Sequence, residues 1–354
     1  MKVALLYNEK PEVAGAALGR YASDQYAEWD NPETIAAVAE ALRRGQHEVV
    51  MIDCHPARIV EIIQTLQQTK PDICFNIAEG AGALSREAQM PALCDLLGIK
   101  YTASDVMTLA ITLDKARTKE ILHYNHVPTP DFEVVETLSQ LPGALSKTWI
   151  LETLDAGKPV IIKPLHEGSS KGIFERSVVS SVAEAEAQVH EVLTVYRQPA
   201  LIEVFLSGRE FTVAMLGNGE DAEVLPIVEL SFDHLPAGSK KIYSYEAKWL
   251  WDEPENPVEV FKCPAPLEPP LKENIERICK AAYRVLRCRD WSRIDVRLDA
   301  EGKPFVIEVN PLPGILPNPD EHSCFPMAAR MAGMDYNQLI NRVLDEALKR
   351  HGLA

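Results

Sequence analysis

The chain has 354 residues, with 36 Lys and Arg against 52 Asp and Glu, a net charge of −16. That length exceeds one ordinary compact core and suits two or three α/β subdomains sharing a cleft. An acidic chain without a basic run is a poor nucleic-acid binder, so an anionic ligand must be held by a few placed cations and a metal.

KVALLYN reads as a buried strand. Its apolar run, Val3 to Tyr7, is too short for a signal peptide, and nothing later approaches a membrane span. The seven Cys are odd in number and lack CxxC spacing, which points to free thiols in a reducing compartment. A soluble, cytoplasmic protein with no membrane partner is expected. Asn31-Pro32-Glu33 opens a helix, with Asn as N-cap and Pro at the first helical position. HEVVMID and PDICFNI are further strands, and REAQMPALCDLLG is an amphipathic helix. Strand–helix alternation implies a parallel sheet covered by helices. Neither GxGxxG nor GxxxxGK[ST] occurs, so the common dinucleotide and P-loop fingerprints do not apply.

DKARTKEILHYNHVPTPDF is a helix stopped by Pro128 and Pro130, and its start near Leu113 marks a domain boundary. PVIIKPLHEGSSKGI is a strand running into a Gly/Ser loop. ALIEVFLSGREFTVAMLGNG is two strands around a turn at Ser207-Gly208. Residues 254–270 hold six Pro and are expected to be irregular. With KKIYSYEAKWLWDEPEN before them they resemble a long lid or binding loop. A last helix is YNQLINRVLDEALKRHG.

The strongest chemical signal is WSRIDVRLDAEGKPFVIEVNPLPG, two strands joined by a turn with Gly302 at its tip. Pairing Leu298 with Phe305 sets Asp295 opposite Glu308 and Arg293 opposite Asn310. Those four then share one face, and Ile294, Val296, Ile307 and Val309 share the other. Two carboxylates roughly 5 Å apart repel each other. A hard cation between them removes the penalty, and Asn310 adds a third oxygen ligand. Few protein ligands, all oxygen, suit Mg²⁺ completed by phosphate oxygens and water. The plainer alternative is a solvated polar hairpin face.

Three weaker signals accompany it. Lys163 ends an apolar strand before Gly168-Ser169-Ser170, a loop whose backbone N–H groups could approach phosphate oxygens. In LIEVFLSGREF, strand-end backbone could pair with an adenine edge and a carboxylate could accept ribose hydroxyls. Lys248, within YEAKW, could reach a γ-phosphate from a closing lid. Taken singly, each reads as well as a solvated side chain. The Cys and His residues show no HExxH or comparable spacing and no GxSxG elbow exists; His322 is the one His set aside as a candidate.

Taken together, TLDKARTK, VIIKPLHEGSSKGI, EVFLSGREFTV, YSYEAKW, RIDVRL, EVNPLPG and HSCFPMAARMAG resemble the ATP-grasp superfamily, and within it the D-alanine–D-alanine ligases. The resemblance spans nearly the whole chain and is clearest from Phe75 onward. It implies an α/β ATP-grasp fold of three subdomains, 1–113, 114–206 and 207–354, the first carrying the parallel sheet. It also implies an ATP-dependent carbon–nitrogen ligase acting through an acyl phosphate, with ATP and Mg²⁺ as cofactors. Two ions are expected, with Mn²⁺ as an alternative. The partners implied are small carboxylate and amine substrates, amino acids or short peptides, and a homodimer is left open.

By resemblance, Lys115 and Lys163 hold ATP phosphates beside Ser169 and Ser170. Glu203 with the backbone of Val204 and Leu206 clamps adenine, Glu210 takes the ribose, and Lys248 meets the γ-phosphate. Asp295, Glu308 and Asn310 hold magnesium, while Arg293 and the N–H of Gly314 stabilise the tetrahedral oxyanion. Ser169 and Ser323 belong to the substrate pocket. Departures from the family pattern cluster around the amino-acid pockets. The segment after the first strand reads NEKPEVAGAALG instead of a Gly-rich Ser/Glu stretch. NIAEG stands where a His in a GEDG context is expected, and Trp249 replaces a Tyr. The stretch from Gly314 to Ser323 is longer and holds Asp320 and Glu321. Glu79, Trp249 and His322 are therefore added to the substrate residues. Three readings follow: a ligase for other partners, a genuine D-alanine–D-alanine ligase, and a catalytically silent ATP-binding module.

Overall fold

The computed structural model describes residues 1–11, 26, 28–168, 170–232, 240, 242, 261–321 and 323–354. Lys248, Trp249, Ser169, His322, most of NEKPEVAGAALG and the greater part of the expected lid lie outside them.

The first sheet is built by β1 (Lys2–Tyr7), α1 (Pro32–Arg44), β2 (Glu48–Asp53), α2 (Ile59–Thr69), β3 (Ile73–Asn76), α3 (Gln89–Leu97), β4 (Lys100–Tyr101) and α4 (Val106–Leu113). Its strands are parallel in the order β2-β1-β3-β4, as the strand–helix alternation requires. The Asn31 side chain accepts from Thr34 N at 2.7 Å and Pro32 begins α1, the expected start. Ligand crevices in such sheets open at the carboxyl ends where strand order reverses, here between β1 and β3.

The second sheet is antiparallel. Along the chain come α5 (Lys115–Tyr124), β5 (Phe132–Val135), α6 (Leu141–Leu145), α7 (Thr148–Asp155), β6 (Val160–Pro164), β7 (Val178–Val179), α8 (Val182–Glu191) and β8 (Ala200–Val204). Their strand order is β5-β8-β6-β7. The third sheet takes β9 (Glu210–Leu216), β10 (Glu223–Val224), β11 (Val228–Leu230) and β12 (Phe261–Lys262). It is completed after α9 (Pro269–Val285) by β13 (Trp291–Leu298) and β14 (Pro304–Asn310). Two helices close the chain, α10 (Cys324–Met331) and α11 (Tyr336–His351).

The strands on either side of Ser207-Gly208 are β8 and β9, and they lie in different sheets. The turn between them is a crossing. Gly208 N–H donates to Leu298 O at 2.9 Å, and a Cβ at Gly208 would lie 2.7 Å from that oxygen, so only glycine fits there. The expectation of irregular chain over 254–270 fails at its end. Phe261 and Lys262 pair with β11, and Pro269 and Pro270 form the first turn of α9. A helix start leaves its first N–H groups unpaired anyway, so proline costs nothing there.

The first and third sheets are joined through a shared core, and the second sheet packs on its own helices. Trp291 on β13 is fully buried between Phe75 of β3 and Phe325 of α10, ring centroids 5.9 and 5.7 Å away in edge-on geometry. The apolar face of α11 packs on α1, so the end of the chain covers the first sheet's helix layer.

Candidate active site

The site begins with the β13–β14 hairpin. Arg293 pairs with Asn310 and Asp295 with Glu308, the expected opposition. The anchor used to deduce it is wrong by one residue. Leu298 faces Pro304, not Phe305, and a bulge between the Asp295 and Val296 pairings restores the register toward the site. The bulge also removes Ile307 from the apolar face. Val306 takes its place, and Ile294, Val296, Val306 and Val309 are buried against α9.

The polar face is electrostatically organised. Arg293 grips Asp295 with two bonds, Nε to Oδ1 at 3.2 Å and Nη2 to Oδ2 at 3.0 Å, and Thr212 Oγ1 donates to Oδ1 at 2.9 Å. Burial, aided by repulsion from Glu308, raises the Asp295 pKa against the pull of Arg293. Glu308 goes the other way. Burial opposes its ionisation, but Lys115 Nζ, 2.8 Å from Oε1, and then Arg293 outweigh it and depress the carboxyl to about 2. Asn310 Oδ1 accepts from Leu312 N at 3.0 Å, which leaves a second lone pair. Two ionisable carboxyls and an amide oxygen fit a hard divalent cation that keeps phosphate and water ligands.

Beside this face lie the lysines. Lys115 is the first residue of α5, whose N-cap Asp114 accepts from Ala116 and Arg117 N–H. One turn later Lys119 points inward and meets Glu203 Oε2 at 2.6 Å, while Lys163 from β6 reaches Glu203 Oε1 at 3.1 Å. All three side chains are buried. Burial works against the Glu203 anion, yet the two ammonium groups lower its pKa. Val204 N–H already donates to Asp131 O at 3.1 Å, so of Val204's backbone groups only the carbonyl could meet an adenine edge; Leu206, two residues on, is buried. Glu210 accepts from Arg297 Nη1 at 2.7 Å, and Arg297 in turn lies over the Phe205 ring at 4.7 Å.

The loop after β6 is held from the first sheet's side. Ser170 has φ +59°, and a Cβ on Gly168 would lie 2.3 Å from Glu28 Oε1, so glycine is needed for this approach. Glu28 Oε2 accepts from Arg86 at 2.7 Å and Lys171 at 3.1 Å; Lys171 also meets Glu167 at 2.7 Å, and Arg86 donates to His166 O at 3.0 Å. Glu79 lies in the crevice beyond β3, close to this network. Burial first, then the neighbouring Glu87 and Glu28, raise its pKa well above the carboxylate range. Gly314 is exposed, and Ser323 Oγ donates to Gly314 O at 2.9 Å and accepts from Leu316 N at 3.2 Å. Ser323 therefore shapes the loop that presents Gly314.

Burial lifts Asp30 from 3.8 to about 7, and burial with Glu28 repulsion lifts Glu87 from 4.5 to about 7. Both acids hold a proton more tightly folded than unfolded. Their contribution is complete below the unfolded pKa values and is lost as pH rises through about 7. The thermal midpoint of the nucleotide-free protein should fall by several degrees from about pH 5 to about pH 8. A midpoint rising steadily across that window would contradict the placement of these carboxyls.

Sequence reasoning missed Lys119, Arg297 and the Glu28–Arg86–Lys171 network. Lys119 stands one helical turn beyond Lys115 within KARTKE, and Arg297 two residues beyond Asp295, so spacing alone put both on functional faces. No local pattern links Glu28, Arg86 and Lys171.

A family model described as D-ala D-ala ligase C-terminus matches residues 121–345. The chain belongs to the D-alanine–D-alanine ligase family. A D-alanine–D-alanine ligase of Bordetella avium is 35% identical over 266 residues, 75% of each chain. An uncharacterised protein of Sinorhizobium fredii is 32% identical over 331 residues, 91% of this chain and 90% of that one. Among solved structures, the ATP-complexed D-alanine–D-alanine ligase of Bacillus anthracis superposes with TM-score 0.67 at 20% identity, covering 99% of both chains. The VanG D-Ala:D-Ser ligase of Enterococcus faecalis gives 0.69 at 17% identity, covering 98% of this chain and 99% of that one. The fold is that of the ATP-grasp ligases, and the chain is an ATP-dependent carbon–nitrogen ligase of the D-alanine–D-alanine ligase type. The reading as a silent ATP-binding module falls away. Among the described residues no helix is long and apolar enough to cross a membrane.

Proposed function

We propose that this ligase phosphorylates the carboxylate of one amino-acid substrate from ATP and joins it to the amine of a second, with Mg²⁺ held by Asp295, Glu308 and Asn310. The observation that carries this is the opposition of Asp295 and Glu308 across the hairpin, with Arg293 and Lys115 bonded to them. Bound magnesium would neutralise phosphate oxygens and orient the transferring group. Lys115 and Lys163 would hold the phosphate chain, with the backbone from Gly168 to Ser170 beside them. Glu203 and the 204–206 backbone would seat adenine, and Glu210 the ribose. Arg293 would face the oxyanion that forms when the amine attacks, helped by Gly314 N–H. Subdomains 1–113, 114–206 and 207–354 would place ATP between the second and third, and the amino acids between the first and third. The protein would work in the cytoplasm.

For the substrate we favour a partner with an extra amine or a longer polar part over plain D-alanine. Glu28, Glu79 and Glu87 lie near Arg86 at the first sheet's crevice, with Asp30 beside Glu79. Carboxyls outnumber cations there and burial keeps Asp30, Glu79 and Glu87 inclined to hold a proton, so an added amine would find acceptors it could ionise. A site built for one set of hydrogen bonds rejects molecules that leave its buried polar groups unpaired. The test is phosphate release across a panel of amino acids and dipeptides. D-Alanine alone should be weak, and another amino acid or peptide at least roughly tenfold better, about 1.4 kcal/mol in transition-state binding. D-Alanine saturating the enzyme at the best rate in the panel would overturn this choice. It would favour D-Ala–D-Ala synthesis instead, the activity in the name of the Bordetella avium relative.

A further inference from the structure

Lys119 has no role in the chemistry above, yet it is 1% exposed and among the largest fully buried side chains. Burying an ammonium group is expensive unless it is paired and hydrogen-bonded. Lys119 is both: Nζ lies 2.6 Å from Glu203 Oε2 and donates to Thr129 Oγ1 at 2.9 Å. The second oxygen of the same carboxylate meets Lys163 at 3.1 Å. Two ammonium groups therefore share one carboxylate, and the trio carries a surplus positive charge.

The two lysines are not equivalent. Lys119 projects from the middle of α5, sealed from solvent and tied to Thr129 just beyond that helix. Lys163 stands at the end of β6, where the strand turns into the loop of Gly168 and Ser170, and its contact with Glu203 is the longer. We propose that Lys119 is a positioning residue for nucleotide binding: as the resident counter-ion of Glu203 it releases the charge of Lys163 for the phosphates of ATP. The inference rests on the reading of Lys163 as a phosphate ligand. Were Lys119 absent, Lys163 would be the sole partner of a buried carboxylate. Turning it toward a phosphate would then strand that carboxylate, and the cost would fall only on ligands that carry phosphates.

Adenosine and ATP with Mg²⁺ therefore separate this role from a merely structural one. Affinities for both should be measured by calorimetry on the full chain. Lys119→Met should weaken ATP about tenfold or more and leave adenosine within about twofold. Lys163→Met should lose ATP selectively as well, and adding Lys119→Met to it should not change the ATP-to-adenosine ratio further, because one residue acts through the other. Lys119→Met with Glu203→Gln leaves no buried carboxylate to strand, so it is expected to fold even where Lys119→Met alone does not. In it the ratio should return toward that of the unmodified protein. Equal losses of ATP and adenosine in Lys119→Met, or a full additive loss in the Lys163→Met background, would overturn the proposal. An unchanged ratio in Lys163→Met would instead remove the phosphate-ligand reading beneath it, and the proposal with it.

Discussion

Glu308→Gln is expected to lower phosphate release by about 10³-fold or more while the protein stays folded. Glutamine keeps the shape of the side chain but loses the charge that opposes Asp295 and pairs with Lys115. Beside Asn310 a second amide would leave Asp295 as the one anionic ligand, and an amide oxygen holds a hard divalent cation less tightly than a carboxylate does. The substitution also gives up the strong ion pair that holds Glu308 ionised to about pH 2. Folding is protected because Lys115 keeps a second acceptor, the carbonyl of Glu167, and the core face of the hairpin is untouched. The measurements are phosphate release at saturating ATP and magnesium, and a thermal melt of the same sample. Turnover near that of the unmodified protein would refute the magnesium assignment.

Asp290→Ala is expected to be strongly destabilising, costing about 3–5 kcal/mol. Asp290 is fully buried and ties three parts of the chain together. It accepts from Ala103 N–H at 2.8 Å beyond β4, from Asn218 Nδ2 at 2.9 Å after β9, and from the guanidinium of Arg350 on α11 at 3.1 and 2.8 Å. Arg350 extends the junction by donating to Tyr101 O at 3.0 Å. Alanine removes the acceptor for all of them and leaves buried donors unpaired. A melt by circular dichroism should show a clear drop in midpoint, and Arg350→Ala a smaller one, because Asp290 keeps two neutral partners. An unchanged midpoint for Asp290→Ala would mean that water replaces the lost acceptor.

The local rules carried much of the way. Asn31-Pro32 placed the start of α1, alternation placed the parallel strands, and the period-two pattern around DAEGK placed Arg293, Asp295, Glu308 and Asn310 on one face. These follow from backbone geometry and side-chain periodicity over a few residues, which one stretch of sequence determines by itself. The same rule could not see the bulge, because an extra residue leaves no mark until two strands are paired. It reached the right opposition from a wrong anchor. The proline count over 254–270 misled for a related reason: two of those prolines begin a helix. What tertiary structure alone decided is which charge meets which. Lys119 and Lys163 on Glu203, Glu28 against Gly168, and Arg350 on Asp290 join segments far apart in the chain. A buried charge must find its partner in space, and no local propensity says where that partner will come from.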